Sequence, residues 1–172
     1  MTPFAPEQVL GYSPELKRRF QSGAGMRGWY RAYQGVLFDE DDLRLAESQA
    51  GHHFYEWLGA VVLHQATGYH CLLQKYQFST HPLKQTRLAR LIPPSLAAIF
   101  DGQVARGEGG NRMQGPDLLM YAPDESDFFF CEVKGPTDDL RPTQVRFFES
   151  VAEAVGRRIE VLRFREFERR AV

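Results

Sequence analysis

Apolar positions along this chain fall into two patterns, helical spacing in some stretches and short unbroken runs in others, and the contrast predicts most of its elements. Ser13-Pro14-Glu15 sets a capping hydroxyl before a proline at the first helical position, which predicts a short helix to about Phe20. Gln21 to Gly28 is glycine-rich and reads as a connection. Asp39-Glu40-Asp41-Asp42 puts negative charge where a helix dipole favours it. Phe54, Leu58, Val61 and Val62 then recur at helical spacing, so one helix is predicted from about Asp42 to Gln65, with Gly68 as its stop. Tyr69 to Tyr76 reads as a strand. Pro82 to Phe100 predicts one or two helices broken at Pro93-Pro94, and the Gly-rich residues 101–112 are expected to be mobile. Met113–Tyr121 and Asp127–Lys134 predict a hairpin about residues 122–126, followed by a helix over Pro142–Val155 and a last strand over Arg158–Phe164.

Composition narrows the class. With 172 residues, 43% hydrophobic and 25% charged, the chain has the size and balance of one soluble globular domain. No apolar run approaches the roughly 20 residues needed to span a bilayer. The opening Met-Thr-Pro-Phe-Ala-Pro-Glu has no basic segment leading into an apolar one, so no secretory signal is expected and the cytoplasm is the expected compartment. Cys71 and Cys131 each sit in an apolar run and are expected as buried thiols rather than a disulfide or zinc pair. Formal net charge is −1, which excludes a uniformly basic protein. Its distribution is uneven, however. From Trp57 to Phe100 there is no Asp or Glu, while Lys75, Lys84, Arg87 and Arg90 fall there, a plausible phosphate-facing surface.

Three charged residues interrupt the two apolar runs of the hairpin: Asp117, Glu132 and Lys134. Burying an unpaired charge is costly, so their presence needs a reason. A divalent metal held by the two carboxylates, with the lysine facing a reacting phosphate, supplies one; two ordinary strands with incidental polar residues are the alternative. Strand side chains alternate, so Glu132 and Lys134 share one face while Cys131 and Val133 share the other.

The wider motif is Gly115-Pro116-Asp117-Leu118-Leu119, then Glu132-Val133-Lys134-Gly135-Pro136-x-Asp138-x-Leu140-Arg141-Pro142-Thr143-Gln144. Over residues 109–165 it resembles the VRR-NUC group of the PD-(D/E)XK nuclease superfamily, which includes the nuclease domain of Fanconi-associated nuclease. The spacer Gly109–Gly115 is longer than in many members, leaving the role of Arg112 open. The resemblance implies an α/β fold with a restriction-endonuclease-like core, a mixed sheet flanked by helices, here with an N-terminal helical extension. The expected division is an extension over residues 1–40 and a nuclease domain over 41–172.

The same resemblance implies Mg²⁺ or Mn²⁺ chemistry, which suits hard oxygen ligands. Asp117, Glu132 and the Val133 carbonyl are the expected ligands, joined by a carboxylate from the first helix. Glu47, in phase with Phe54, Leu58 and Val61, is favoured there over Glu56, which lies off that stripe. Lys134 would orient the attacking water or offset charge on the phosphate. Gln144 would hydrogen-bond Lys134, the water or the phosphate. Lys84, Arg87 and Arg90, three apart and so near one helical face, are candidate backbone contacts to DNA, with a solvated face as the alternative. Arg27, Trp29, Tyr30, Arg31 and Tyr33 interleave bases and aromatics, either to stack on nucleobases or to fill an N-terminal core. His52, His53, His64, His70 and His81 lack zinc-ligand spacing and are expected to pack or to meet phosphate.

The expected activity is therefore a metal-dependent deoxyribonuclease, endo- or exonucleolytic, selective for flaps or junctions in repair or recombination, with a homodimer possible and no membrane association. The alternatives are a partner-directed defence or restriction-type nuclease and a DNA-binding subunit without catalysis.

Overall fold

Strands that read as unbroken apolar runs need cover on both faces, and here they have it. The computed structural model describes residues 2–49, 52–78, 80–105 and 115–167. In chain order the elements are β1 (Gln8–Tyr12), α1 (Pro14–Gln21), α2 (Ala24–Tyr33), α3 (Glu40–Ser48), α4 (Phe54–Thr67), β2 (His70–Leu73), α5 (Pro82–Leu91), α6 (Pro94–Ala105), β3 (Leu118–Tyr121), β4 (Phe128–Lys134), α7 (Pro142–Val155) and β5 (Glu160–Glu166). One mixed sheet has the order β1-β5-β4-β3-β2. Its β2–β3 and β3–β4 pairs are antiparallel, and β4–β5 and β1–β5 are parallel.

All of β3 is buried, and its side chains divide between two cores. Leu118 and Met120 join Phe20, Met26, Phe54, Trp57 and Val61 on one face. Leu119 and Tyr121 join Leu88, Leu96, Phe100, Phe147, Phe148 and Val151 on the other. This is the α/β layering expected of a PD-(D/E)XK core, with helices on both sides of the sheet. The Pro93-Pro94 break, the hairpin and the Pro142–Val155 helix fall where the sequence predicts them.

Three departures have physical causes. Gln21–Gly28 is not a plain connection, because α2 starts inside it. A Cβ on Gly25 would lie 2.9 Å from the Phe20 backbone nitrogen, so that glycine marks a close approach of α2 to α1 rather than a flexible link. The helix predicted from Asp42 to Gln65 is two helices. A reciprocal Asp39–Asp42 capping box starts α3, and Gln49 leaves helical geometry at φ −127°, ψ 54° before α4 restarts. Finally, β1 was not anticipated. Only its last residue is buried, so it carries no alternation to read. It pairs with β5 from Gln8↔Leu162 to Tyr12↔Glu166, and thereby seats residues before 40 in the common sheet.

The N-terminal aromatics fill the core rather than forming a free stacking surface. Trp29 stacks on Phe54 at 6.4 Å, and Tyr33 meets His64 edge-on at 5.5 Å. Cys71 and Cys131 are buried free thiols. Among the described residues, no helix is long and apolar enough to cross a membrane. Residues 101–105, expected in a mobile connection, continue α6 instead, and the rest of that connection, 106–114 with Arg112, lies outside the described residues.

Candidate active site

The hairpin builds the first half of the site. β3 and β4 pair with Leu118 opposite Cys131, and one step further along that register Asp117 falls opposite Glu132. The Asp117 N–H donates to Glu132 Oε2 at 3.3 Å, and the Val133 N–H donates to Asp117 Oδ2 at 2.9 Å. Lys134 Nζ donates to Glu132 Oε1 at 2.7 Å. Glu132 and Lys134 are buried, at 2% and 7% exposure, while Asp117 is half-buried. Cys131 and Val133 turn the other way, into the core beneath α4, as strand alternation predicts. The turn that follows is fixed by the rest of the motif. Asp138 Oδ2 accepts from the Gly135 N–H at 2.9 Å, and Arg163 Nη1 donates to the carbonyls of Gly135 and Asp138 at 3.1 and 2.9 Å.

The helix carboxylate that lies near Asp117 and Glu132 is Glu56, while Glu47 is placed elsewhere. Glu47 lies on α3 in an exposed ion pair with Arg27, N to O 3.1 Å, with 41% of its side chain open. Its helical phase ends with α3 at Ser48 and does not carry into α4, so agreement with Phe54, Leu58 and Val61 means nothing in space. Glu56 instead follows from how α4 meets the sheet. A Cβ on Gly59 would lie 3.0 Å from Val133 Cγ2 and 3.3 Å from Leu118 Cδ1, so the helix lies almost directly on the two site strands. Glu56, one turn earlier, comes within electrostatic reach of Asp117 and Glu132. Gln74 Nε2 donates to its Oε1 at 3.0 Å, and its Oε2 is buried without a hydrogen-bond partner.

Three carboxylates so placed resist ionisation. Burial, then the negative charges of Glu132 and Glu56, push Asp117 well above the usual range. Burial raises Glu132 as well, opposed by Lys134. Burial and then the charges of Glu132 and Asp138 bring Glu56 up to about 7. A hard divalent cation would relieve this repulsion, and the donor set, all carboxylate oxygen with one buried acceptor unused, fits Mg²⁺ or Mn²⁺. The oxygens do not converge as they stand. Among the described residues no three His, Cys, Asp or Glu side chains are gathered for ligation. Asp117 and Glu132 spend their oxygens on Lys134 and on two backbone N–H groups, which a cation would have to displace.

Several residues expected at the site lie elsewhere or are otherwise engaged. Gln144 Oε1 accepts from the Arg141 N–H at 3.1 Å, so it caps α7 from within; a Gln at the third helical position after Pro142 is the signal for that role. Lys84, expected to face phosphate, is instead turned inward. Its Nζ is buried against Asp42 Oδ1 and the Leu73 carbonyl, with the Gln74 carbonyl at 3.4 Å. Arg87 donates to the Tyr121 hydroxyl at 2.8 Å, and Arg90 pairs with Glu125; both partners lie at the turn end of the hairpin, away from Asp117. Val133 meets the site through the N–H it gives to Asp117.

The histidines are dispersed among local partners. Gln49 holds His53 at 3.0 Å, the Tyr69 carbonyl holds His64 at 2.7 Å, and Asp41 holds His81 at 3.2 Å. Gln74, beside the site, went unnoticed in the sequence. It and Lys75 carry positive φ, 38° and 51°, directly after β2. No local signal marks them, since neither is glycine or asparagine.

The VRR-NUC domain family matches this chain over residues 59–166. No curated protein matches it. Among solved structures, paFAN1 bound to 5′-flap DNA with a 2-nt flap and a gap is similar at 20% identity and a TM-score of 0.34. That match covers 88% of this chain, which spans 22% of the length of the other.

Proposed function

The chain belongs to the VRR-NUC domain family, and from that premise we propose that it hydrolyses phosphodiester bonds of DNA with the help of Mg²⁺ or Mn²⁺, acting on flaps or junctions. The observation that carries this reading is the meeting of Asp117, Glu132 and Lys134 at one end of the β3–β4 hairpin, with Glu56 reaching them from α4. Asp117, Glu132 and Glu56 would hold the ion, which when bound polarises the scissile phosphate and acidifies the attacking water. Lys134 is kept in place by its bond to Glu132 and puts a positive charge where negative charge grows on the phosphate.

A cleavage panel tests this. Single-stranded, duplex, 5′-flap and four-way-junction DNA are incubated with the protein and Mg²⁺, Mn²⁺ or chelator. Ion-dependent cutting with preference for a branched substrate is the expected result. Equal cutting of all substrates would remove the branch preference, and no cutting of any would leave a DNA-binding role without catalysis.

A further inference from the structure

β2 leaves its ladder through two residues, Gln74 and Lys75, whose left-handed backbone is rare outside glycine and asparagine. Such conformations persist where the surroundings impose them, and they cluster at functional sites. Here three restraints converge. The Gln74 N–H donates to the Asp117 carbonyl at 2.8 Å, carrying the β2–β3 pairing one step past Leu73↔Leu118. From below, Lys84 Nζ donates to the carbonyls of Leu73 and Gln74, and Asp42 fixes that lysine in turn. Above, the Gln74 side chain reaches Glu56 Oε1 at 3.0 Å.

We infer that Gln74 is a positioning residue for Glu56, and that the buried Asp42–Lys84 pair is the fixture that holds Gln74 in place. This rests on Glu56 being a carboxylate of the proposed hydrolytic site. Gln74 is bonded through its backbone to the residue that supplies one site carboxylate, and through its side chain to another. It therefore sets the offset between α4 and β3, the elements bearing Glu56 and Asp117. By donating to one oxygen of Glu56 it settles which oxygen stays open. The Lys84 ammonium would satisfy Asp42 wherever the pair was buried. Its bonds to the two carbonyls beside the site make it more than a neutralised charge. Partners of this kind, standing behind a metal's own ligands, orient the ligand and tune its affinity.

The test is Mn²⁺ binding to the full chain by titration calorimetry, with DNA cleavage measured alongside. Gln74→Ala removes the donor, and Gln74→Met removes it while keeping chain length and packing. Both are expected to weaken Mn²⁺ by about 10–100-fold and to lower kcat with KM for DNA unchanged. Asp42→Leu/Lys84→Met, which removes the two charges together, is expected to shift Mn²⁺ affinity in the same direction by a smaller factor. If wild type binds Mn²⁺ and cuts DNA while Gln74→Met does both unchanged, the hydrogen bond has no positioning role and the inference is wrong. If wild type neither binds Mn²⁺ nor cuts, the hydrolytic reading of the carboxylates fails first and takes this inference with it.

Discussion

Two lysine–carboxylate pairs are buried in this chain to nearly the same depth. Lys84 and Asp42 have side-chain exposures of 5% and 4%, and Lys134 and Glu132 have 8% and 3%. Their surroundings differ. Lys84 meets one buried carboxylate and two carbonyls, with the partly exposed Asp39 3.9 Å away, and Asp42 also accepts the Asp39 N–H at 2.9 Å. A single buried carboxylate faces the ammonium there. Lys134 meets one carboxylate that has two more beside it, so negative charge is in excess. Depth of burial therefore does not distinguish the two pairs; the number of buried carboxylates beside each lysine does. Lys84, with its neighbours Arg87 and Arg90, looked in the sequence like a surface for phosphate. Lys134 was legible because its motif neighbours spoke for it.

The largest effect should fall on the unbalanced pair. Lys134→Ala, Asp117→Ala or Glu132→Ala is expected to lower Mg²⁺-dependent cleavage by at least about 10²–10³-fold, with circular dichroism and thermal unfolding showing an intact fold. A Lys134→Ala protein that cuts like wild type would erase the contrast.

The balanced pair should respond in stability instead. Lys84→Met leaves Asp42 buried without its partner and is expected to cost about 3–5 kcal/mol, read as a drop in the urea midpoint. Replacing both as Asp42→Leu/Lys84→Met should recover most of it. A single variant as stable as wild type would mean that Asp42 is protonated or solvated.

Titration reads the carboxylates of both regions. Glu56 is raised from 4.5 to about 7, so the native state holds a proton that the unfolded chain releases. Its contribution to stability is full below about 4.5 and is lost as pH rises towards about 7. Asp42 is raised to about 7 as well, by burial, and adds to the same slope. In chelator, Glu56→Gln is therefore expected to flatten the fall in stability across that window by an amount on the order of 1 kcal/mol, since the half-open site screens part of the effect. A steeper fall in the variant would contradict the sign.

Smallest of all is the outer face of α5. Arg90 pairs with Glu125 where its side chain is 56% exposed, so Arg90→Ala is expected to change stability by no more than about 1 kcal/mol. With Arg87→Ala added, the salt dependence of DNA binding should keep its slope; a flatter slope would return these arginines to the DNA path.

Much of the fold was readable because its signals are local. Proline at the first turn, the acidic run at Asp39–Asp42, glycine at 68 and the apolar runs of β3 and β4 report on residues within a turn or a strand of themselves. Strand alternation likewise puts Glu132 and Lys134 on one face. Glu47, Lys84 and Gln144 lie away from their expected places for one shared reason, which is that their surroundings depend on partners. Glu47 found Arg27 on α2, Lys84 found Asp42, 42 residues away, and Gln144 found its own helix end.

The sequence by itself determined where chain segments curl or extend, and it held the three residues of the hairpin motif within one pair of adjacent strands. Those are consequences of side-chain periodicity and backbone geometry, which act over a few residues. Only the tertiary structure decided that Glu56 joins them, that Gln74 ties α4 to β3, and that Lys84 turns inward. A buried charge is set by whichever groups the folded chain brings against it, and contacts between distant segments leave no period in the sequence.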